Sequence, residues 1–141
     1  MIKRELPAIV IAALLAAPLA AQVNFSSRPV LQSGVTNDGG RITYPATDSA
    51  EVTALRVDIG PGGETGRHMH LYPAFVYVLE GAINVEIEGG GGHSYKAGDS
   101  FVEAVDAWHN GKNRGSTPVK LLVVFTGVRG KPNLVRPSKD P

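Results

Sequence analysis

The sequence contains no cysteine. No lipobox is therefore present, and the fold must hold without disulfides, which a domain of 141 residues can do. Charge of one sign is also lacking, with 14 Lys and Arg against 13 Asp and Glu. No basic stripe favours nucleic acid, and no polybasic patch favours a membrane surface. No apolar run reaches the roughly 20 residues that a membrane-spanning helix needs. From Gln22 onward no segment carries a convincing helical period. No nucleophile–base pair sits in a recognisable motif. The glycine run Gly89–Gly92 lacks the lysine and following helix of a phosphate loop.

What is present is apolar and finely punctuated. Hydrophobic residues make up 43% of the chain, with 17 Gly and 10 Pro. Such a composition suits many short strands joined by tight turns, an all-β fold. The N-terminus has the order of a secretion signal: Lys3 and Arg4, an apolar run from Ala8 to Leu19, then Ala20 and Ala21. Residues 1–21 are expected to be removed, which implies a periplasmic or secreted protein with no membrane attachment. An uncleaved anchor or a buried first helix is the competing reading of the same run. Loss of Lys3, Arg4 and Glu5 would leave 12 basic and 12 acidic residues, a neutral chain.

Residues 22–50 read as an arm with one or two short strands. A barrel is expected over 51–127, and 128–141 as a loose or edge-lying tail. Leu55, Val57 and Ile59 alternate with Arg56 and Asp58, the period-two mark of a half-buried strand. Ile83, Val85 and Ile87 alternate with Asn84, Glu86 and Glu88 in the same way. Phe75 to Leu79 is continuously apolar and predicts a strand covered on both faces. Further strands are predicted around 94–97, 101–105 and 119–126, separated by Gly98-Asp99 and by the polar loop 111–116.

His68 and His70 fall two apart in an extended stretch, so their side chains project to one face. Such a pair can grip one metal, with His109 as a candidate third ligand. Taken alone, the pair reads equally as two exposed or hydrogen-bonded histidines.

The wider pattern removes that ambiguity. The run Gly62-x5-His68-x-His70-x10-Gly81, with Tyr77-Val78-Leu79-Glu80-Gly81 at its end, resembles the first motif of the cupins. Gly98-x10-His109-x3-Asn113 resembles their second motif. With the flanking strands, the likeness extends from about Glu51 to Thr126. It implies a double-stranded β-helix, the cupin jelly-roll barrel, with His68, His70 and His109 as ligands of one divalent metal (iron, zinc, nickel, manganese or copper) at its mouth. It also implies frequent homodimerisation and a small-molecule substrate or ligand.

Three departures from that pattern stand out. Ala74 occupies the place where the family usually has a Glu ligand, and Ala104 and Asp106 replace a Pro and a Gly. A site of three His without carboxylate is similar in ligand set to cupin dioxygenases, so a dioxygenase-type enzyme is one expectation. A non-catalytic module binding a small molecule or metal is the other. Glu103, six residues before His109, is a candidate replacement ligand, general base or orienting partner, or else an ordinary rim carboxylate. Tyr72, close to the His pair, is a second candidate for handling protons. Tyr72, Phe75, Tyr77 and Trp108 are candidates to line an apolar pocket, and His93, beside the glycines, is expected at the surface.

Overall fold

The computed structural model describes residues 25–138; the expected signal segment lies outside them. Among the described residues there is no helix, and every strand pairing is antiparallel. Four strands form one sheet in the order β1 (Ala50–Ile59), β8 (Val119–Val128), β3 (Ala74–Glu80), β6 (Ser100–Val102). Three form a second, β5 (Gly91–Lys96), β4 (Ala82–Ile87), β7 (His109–Lys112). The short β2 (Met69–His70) pairs with β9 (Leu134–Val135). The all-β jelly-roll barrel is the architecture observed.

Alternation decides which faces meet. Along β8, Val119, Leu121, Val123 and Phe125 are buried, whereas Lys120, Leu122, Val124 and Thr126 turn away. Ile83, Val85 and Ile87 of β4 supply the facing side of the core. The strand predicted as covered on both faces is not. In β3, Ala74, Val76 and Val78 are buried, but Phe75 and Tyr77 are half-buried and Leu79 is exposed. Its second face is the outside of the barrel, and among the described residues nothing packs over it completely.

Three further differences from the sequence reading have local causes. The arm forms no strand ladder, only a Val35–Arg41 bridge. Its turn is tied internally by Thr36 to Gly40 and docks on β6 when Asn37 N–H donates to the Val102 carbonyl at 2.8 Å. The strand expected over 101–105 ends at Val102, and Val105 instead bridges in parallel to His70. The strand expected around 94–97 begins earlier, with Gly91 and Gly92 already in β5.

The turn after β3 depends on Gly81. Its φ is +75°, and a Cβ there would lie 2.6 Å from the Pro118 carbonyl oxygen. Asn113 holds the loop after β7. Its side chain is buried, its Nδ2 donates to the Ile59 and Thr117 carbonyls at 2.9 and 2.8 Å, and its Oδ1 accepts from Gly115 N–H at 3.0 Å. Replacing it strands these groups away from water. Asn113→Ala is expected to lower unfolding free energy by about 2–3 kcal/mol in urea titrations. A loss under about 0.5 kcal/mol, the scale of an ordinary surface change, would show that the loop is held by other means.

Candidate metal centre

Two strands, the residue just before one of them and a loop bring four side chains together. His68 and His109 sit opposite each other in a reciprocal backbone pair, with N–H to O distances of 2.9 and 2.8 Å. His70 lies two residues on, in β2. Glu103 follows β6, and its N–H donates to the Ala74 carbonyl at 2.9 Å. His70 and His109 are 1–2% exposed and His68 is 6% exposed, so these are interior groups. One ligand-type atom from each of the four residues lies within 4.8 Å of all the others. A ligand shell about 2.1 Å in radius spans about 4.2 Å at most, so rotations of a few tenths of an ångström would close it.

The ring nitrogens are sorted by the backbone. His68 Nδ1 lies 2.7 Å from the Gly66 carbonyl, His109 Nδ1 2.8 Å from Ala107, and His70 Nδ1 3.2 Å from Asn133. A carbonyl can only accept, so each Nδ1 carries the proton and, in the neutral ring, each Nε2 presents a lone pair. His70 and His109 Nε2 are buried and have no hydrogen-bond partner. Glu103 Oε2 is 2.7 Å from His70 Nε2, and Oε1 is 3.8 Å from His109 Nε2, but neither contact has hydrogen-bond alignment. Orphaned buried nitrogens are costly and demand a reason. Lone pairs and carboxylate oxygens aimed past one another at a common space fit a cation there. The donor set of imidazole and carboxylate suits zinc, iron, nickel, copper or manganese.

Glu103 answers the question left open by Ala74. Ala74 is fully buried and faces inward, and its β8 partner is Phe125, whose ring centroid lies 5.2 Å from that of His70. Glu103 is tied to the backbone of Ala74 itself. The carboxylate thus enters the same region from the neighbouring segment. Its side chain is 14% exposed. Burial pushes its pKa up, but the contact with His70 and the attraction of the His70, His109 and His68 rings in their protonated form outweigh this and hold it below the ordinary value.

The remaining predicted residues are more scattered. A cavity of about 210 Å³ opens on the cluster, lined by His68, His70 and Glu103 with an apolar wall. Tyr72 is not among its lining residues and lies against Gly127 instead. Phe75 and Tyr77 are on the outer face, and Trp108 lies beneath the Arg67 guanidinium at 4.2 Å. Phe125 is the aromatic that lines the cavity. His93 is exposed, as expected, and Asp106 is an exposed turn residue with φ of +56°. The sequence reading missed the tail. Asn133 supplies the acceptor for His70, β9 pairs with β2, and Leu134 and Arg136 line the cavity. Its two-residue strand is too short for any periodicity to reveal.

Burial pushes the His68 pKa down to about 4; the Gly66 bond opposes this, and the charges of His109 and His70 reinforce it. A lowered histidine pKa means that the unfolded chain takes up a proton before the folded one does. The metal-free protein should therefore lose stability as pH falls from about 6.5 toward about 4, by up to about 1.4 kcal/mol per pH unit. Glu103, also lowered, acts in the same direction near and below its ordinary value. Urea midpoints measured across this range should show the slope, and His68→Gln should flatten it. An unchanged slope would mean that His68 does not stay neutral.

Comparison with known proteins places the fold and the motifs together. The family model described as "Cupin domain" matches residues 55–125. Germin-like protein subfamily 2 member 1 of Arabidopsis thaliana is 29% identical over 115 residues, covering 72% of this chain. The chain spans about half the length of that relative, 52%. Among solved structures, the DMSP lyase DddQ of Ruegeria pomeroyi superposes with a TM-score of 0.53 at 23% identity, over 69% of this chain and 46% of that one. The Lactobacillus farciminis oxalate decarboxylase formate complex does so with 0.52 at 21%, over 67% and 33%. These two likenesses are of fold. With one half of its length matched by the family and its two motifs meeting inside a jelly-roll barrel, the chain belongs to the cupins.

Proposed function

We propose that this cupin holds one divalent metal through the Nε2 atoms of His68, His70 and His109 and a carboxylate oxygen of Glu103, and acts on a small organic molecule bound in the adjoining cavity. The observation that carries the reading is the pair of buried, partnerless Nε2 atoms whose rings are fixed from behind by backbone carbonyls. A bound ion would supply a Lewis acid with positions open to the cavity. The chain's own contribution is orientation, exclusion of water by the apolar wall, and proton handling at Glu103. That carboxylate has two oxygens in different surroundings, one beside His70 and one toward His109. One serves as a ligand and the other accepts a proton from the bound molecule.

The carboxylate bears on the type of chemistry. The dioxygenase expectation rested on three histidines without a carboxylate, and Glu103 brings one into contact with the cluster. Oxygen-dependent turnover therefore becomes one arm of the test rather than the leading reading. A binding-only module is favoured by one observation: with Glu103 engaged, no other carboxylate among the described residues lines the cavity. Homodimerisation has a candidate surface on the outer face of the first sheet, where Val52, Leu122 and Phe75 lie on adjacent strands at outward positions.

Elemental analysis of chelator-free protein should find about one equivalent of metal, and saturating metal at about a thousand times its Kd should stabilise the fold by about 4 kcal/mol. Absence of metal, with none taken up on titration, would end the reading. Glu103→Ala is expected to weaken metal affinity by more than about tenfold, the scale at which even groups that only orient ligands act. In the double variant Ala74→Glu/Glu103→Ala a carboxylate returns from the neighbouring strand, and calorimetric titration should recover most of that loss. Equal affinity in wild type and Glu103→Ala would remove Glu103 from the ligand set. Oxygen uptake with iron-loaded protein separates oxygenase chemistry from Lewis-acid chemistry.

A further inference from the structure

The cavity beside the histidines has one feature that the metal reading does not use. Its wall is apolar, with Leu55, Val57, Leu121, Val123 and Phe125 contributing from β1 and β8. Besides Glu103 and the histidines, the charged residue lining it is Arg136, from the tail just beyond β9. The tail is anchored there, because β9 sets Leu134 opposite His70 and the Asn133 carbonyl accepts from His70.

The guanidinium is seated rather than loose. Arg136 Nη1 donates to the Thr65 carbonyl at 3.0 Å. It also packs over Gly66, where a Cβ would come within 3.1 Å of Nη1 and where φ is +76°. A side chain at 66 would therefore crowd the seat. Guanidinium offers five N–H donors in a fixed fork, and the Thr65 bond uses one. Among the described residues no carboxylate lies within ion-pair distance of Arg136, in contrast to Arg56, Arg67 and Arg114. A planar fork with unspent donors, at the rim of an apolar cavity, matches a carboxylate in shape and charge.

We propose that Arg136 is the specificity-determining residue of this cavity and that the ligand is a short-chain organic monocarboxylate. Its carboxylate is held by the guanidinium at the mouth, and its apolar body lies along the wall. At about 210 Å³ the cavity is smaller than the roughly 300–1,000 Å³ of sites that take drug-sized ligands, so it suits a short-chain body. An inorganic oxyanion would leave the wall without a partner and lose its hydration against apolar side chains. The inference rests on the metal reading only for what the far end of the ligand meets.

The test uses butanoate and its neutral isostere butanamide, titrated by NMR chemical shift into zinc-loaded and chelator-treated full-length protein. Metal content and thermal midpoint are recorded for each variant. Wild type should prefer butanoate by about ten- to a hundredfold, the span expected for a charge-assisted pair of hydrogen bonds. Arg136→Gln should erase the preference with metal content and midpoint unchanged, and Arg136→Lys should restore part of it. Survival of the preference in Arg136→Gln would overturn the proposal and assign the anion to the histidine cluster. So would equal affinity for the two probes in wild type, or tighter Arg136-dependent binding of inorganic phosphate than of butanoate. An Arg136-dependent preference in a protein that takes up no zinc would uphold this inference while the metal reading fails.

Discussion

The site depends on three hydrogen bonds from imidazole Nδ1 to main-chain carbonyls, at Gly66, Ala107 and Asn133. They fix the proton on the outer nitrogen of each ring and leave the inner one bare. Side-chain acceptors could do the same work, but carbonyls cannot switch to donors and do not titrate. The tautomer is therefore written into the backbone path, and through it into the strand register. His68 and His109 belong to one reciprocal backbone pair, so a slip of one residue in either segment would turn its ring out of the interior and away from the other.

The carboxylate shows how one patch of a barrel interior can be reached from more than one strand. Cross-strand neighbours share one patch of interior space, so a group lost from one strand can be offered by the next. Ala74 gives up volume, and Glu103, bonded to the Ala74 carbonyl, projects into the region beside His70. Such an exchange alters the direction from which charge approaches while keeping it close to the same nitrogens. Val123 and Phe125 of the apolar wall come from β8 in either arrangement, with Phe125 directly across from Ala74.

Much of this was legible from residue order. The strands β1 and β4 follow from strict alternation, and the turn at Gly81 from a glycine placed between two apolar runs. The convergence of His68, His70 and His109 followed from two motifs and a barrel that brings them together. The facing of Glu103 did not, because alternation groups residues by side without saying which side is inside. Tyr72 is near the histidines in sequence but packs toward Gly127, since β2 ends at His70 and the chain turns away. The tail stayed hidden for a different reason. Its contribution to the histidines is a carbonyl and a two-residue strand, and neither leaves a mark on side-chain pattern.

The bond from His70 to Asn133 joins residues 63 positions apart. Closing a loop of that size costs configurational entropy that no local contact repays in advance. His68 and His109 can be set by the pairing of the barrel strands, but His70 acquires its acceptor only when the tail has folded back across β2. A chain still emerging from synthesis, or one clipped before residue 133, would keep its barrel strands and lack a fixed third imidazole. The geometry of the three imidazoles is thereby tied to segment 133–135 as much as to the barrel strands, although that segment contributes no ring of its own.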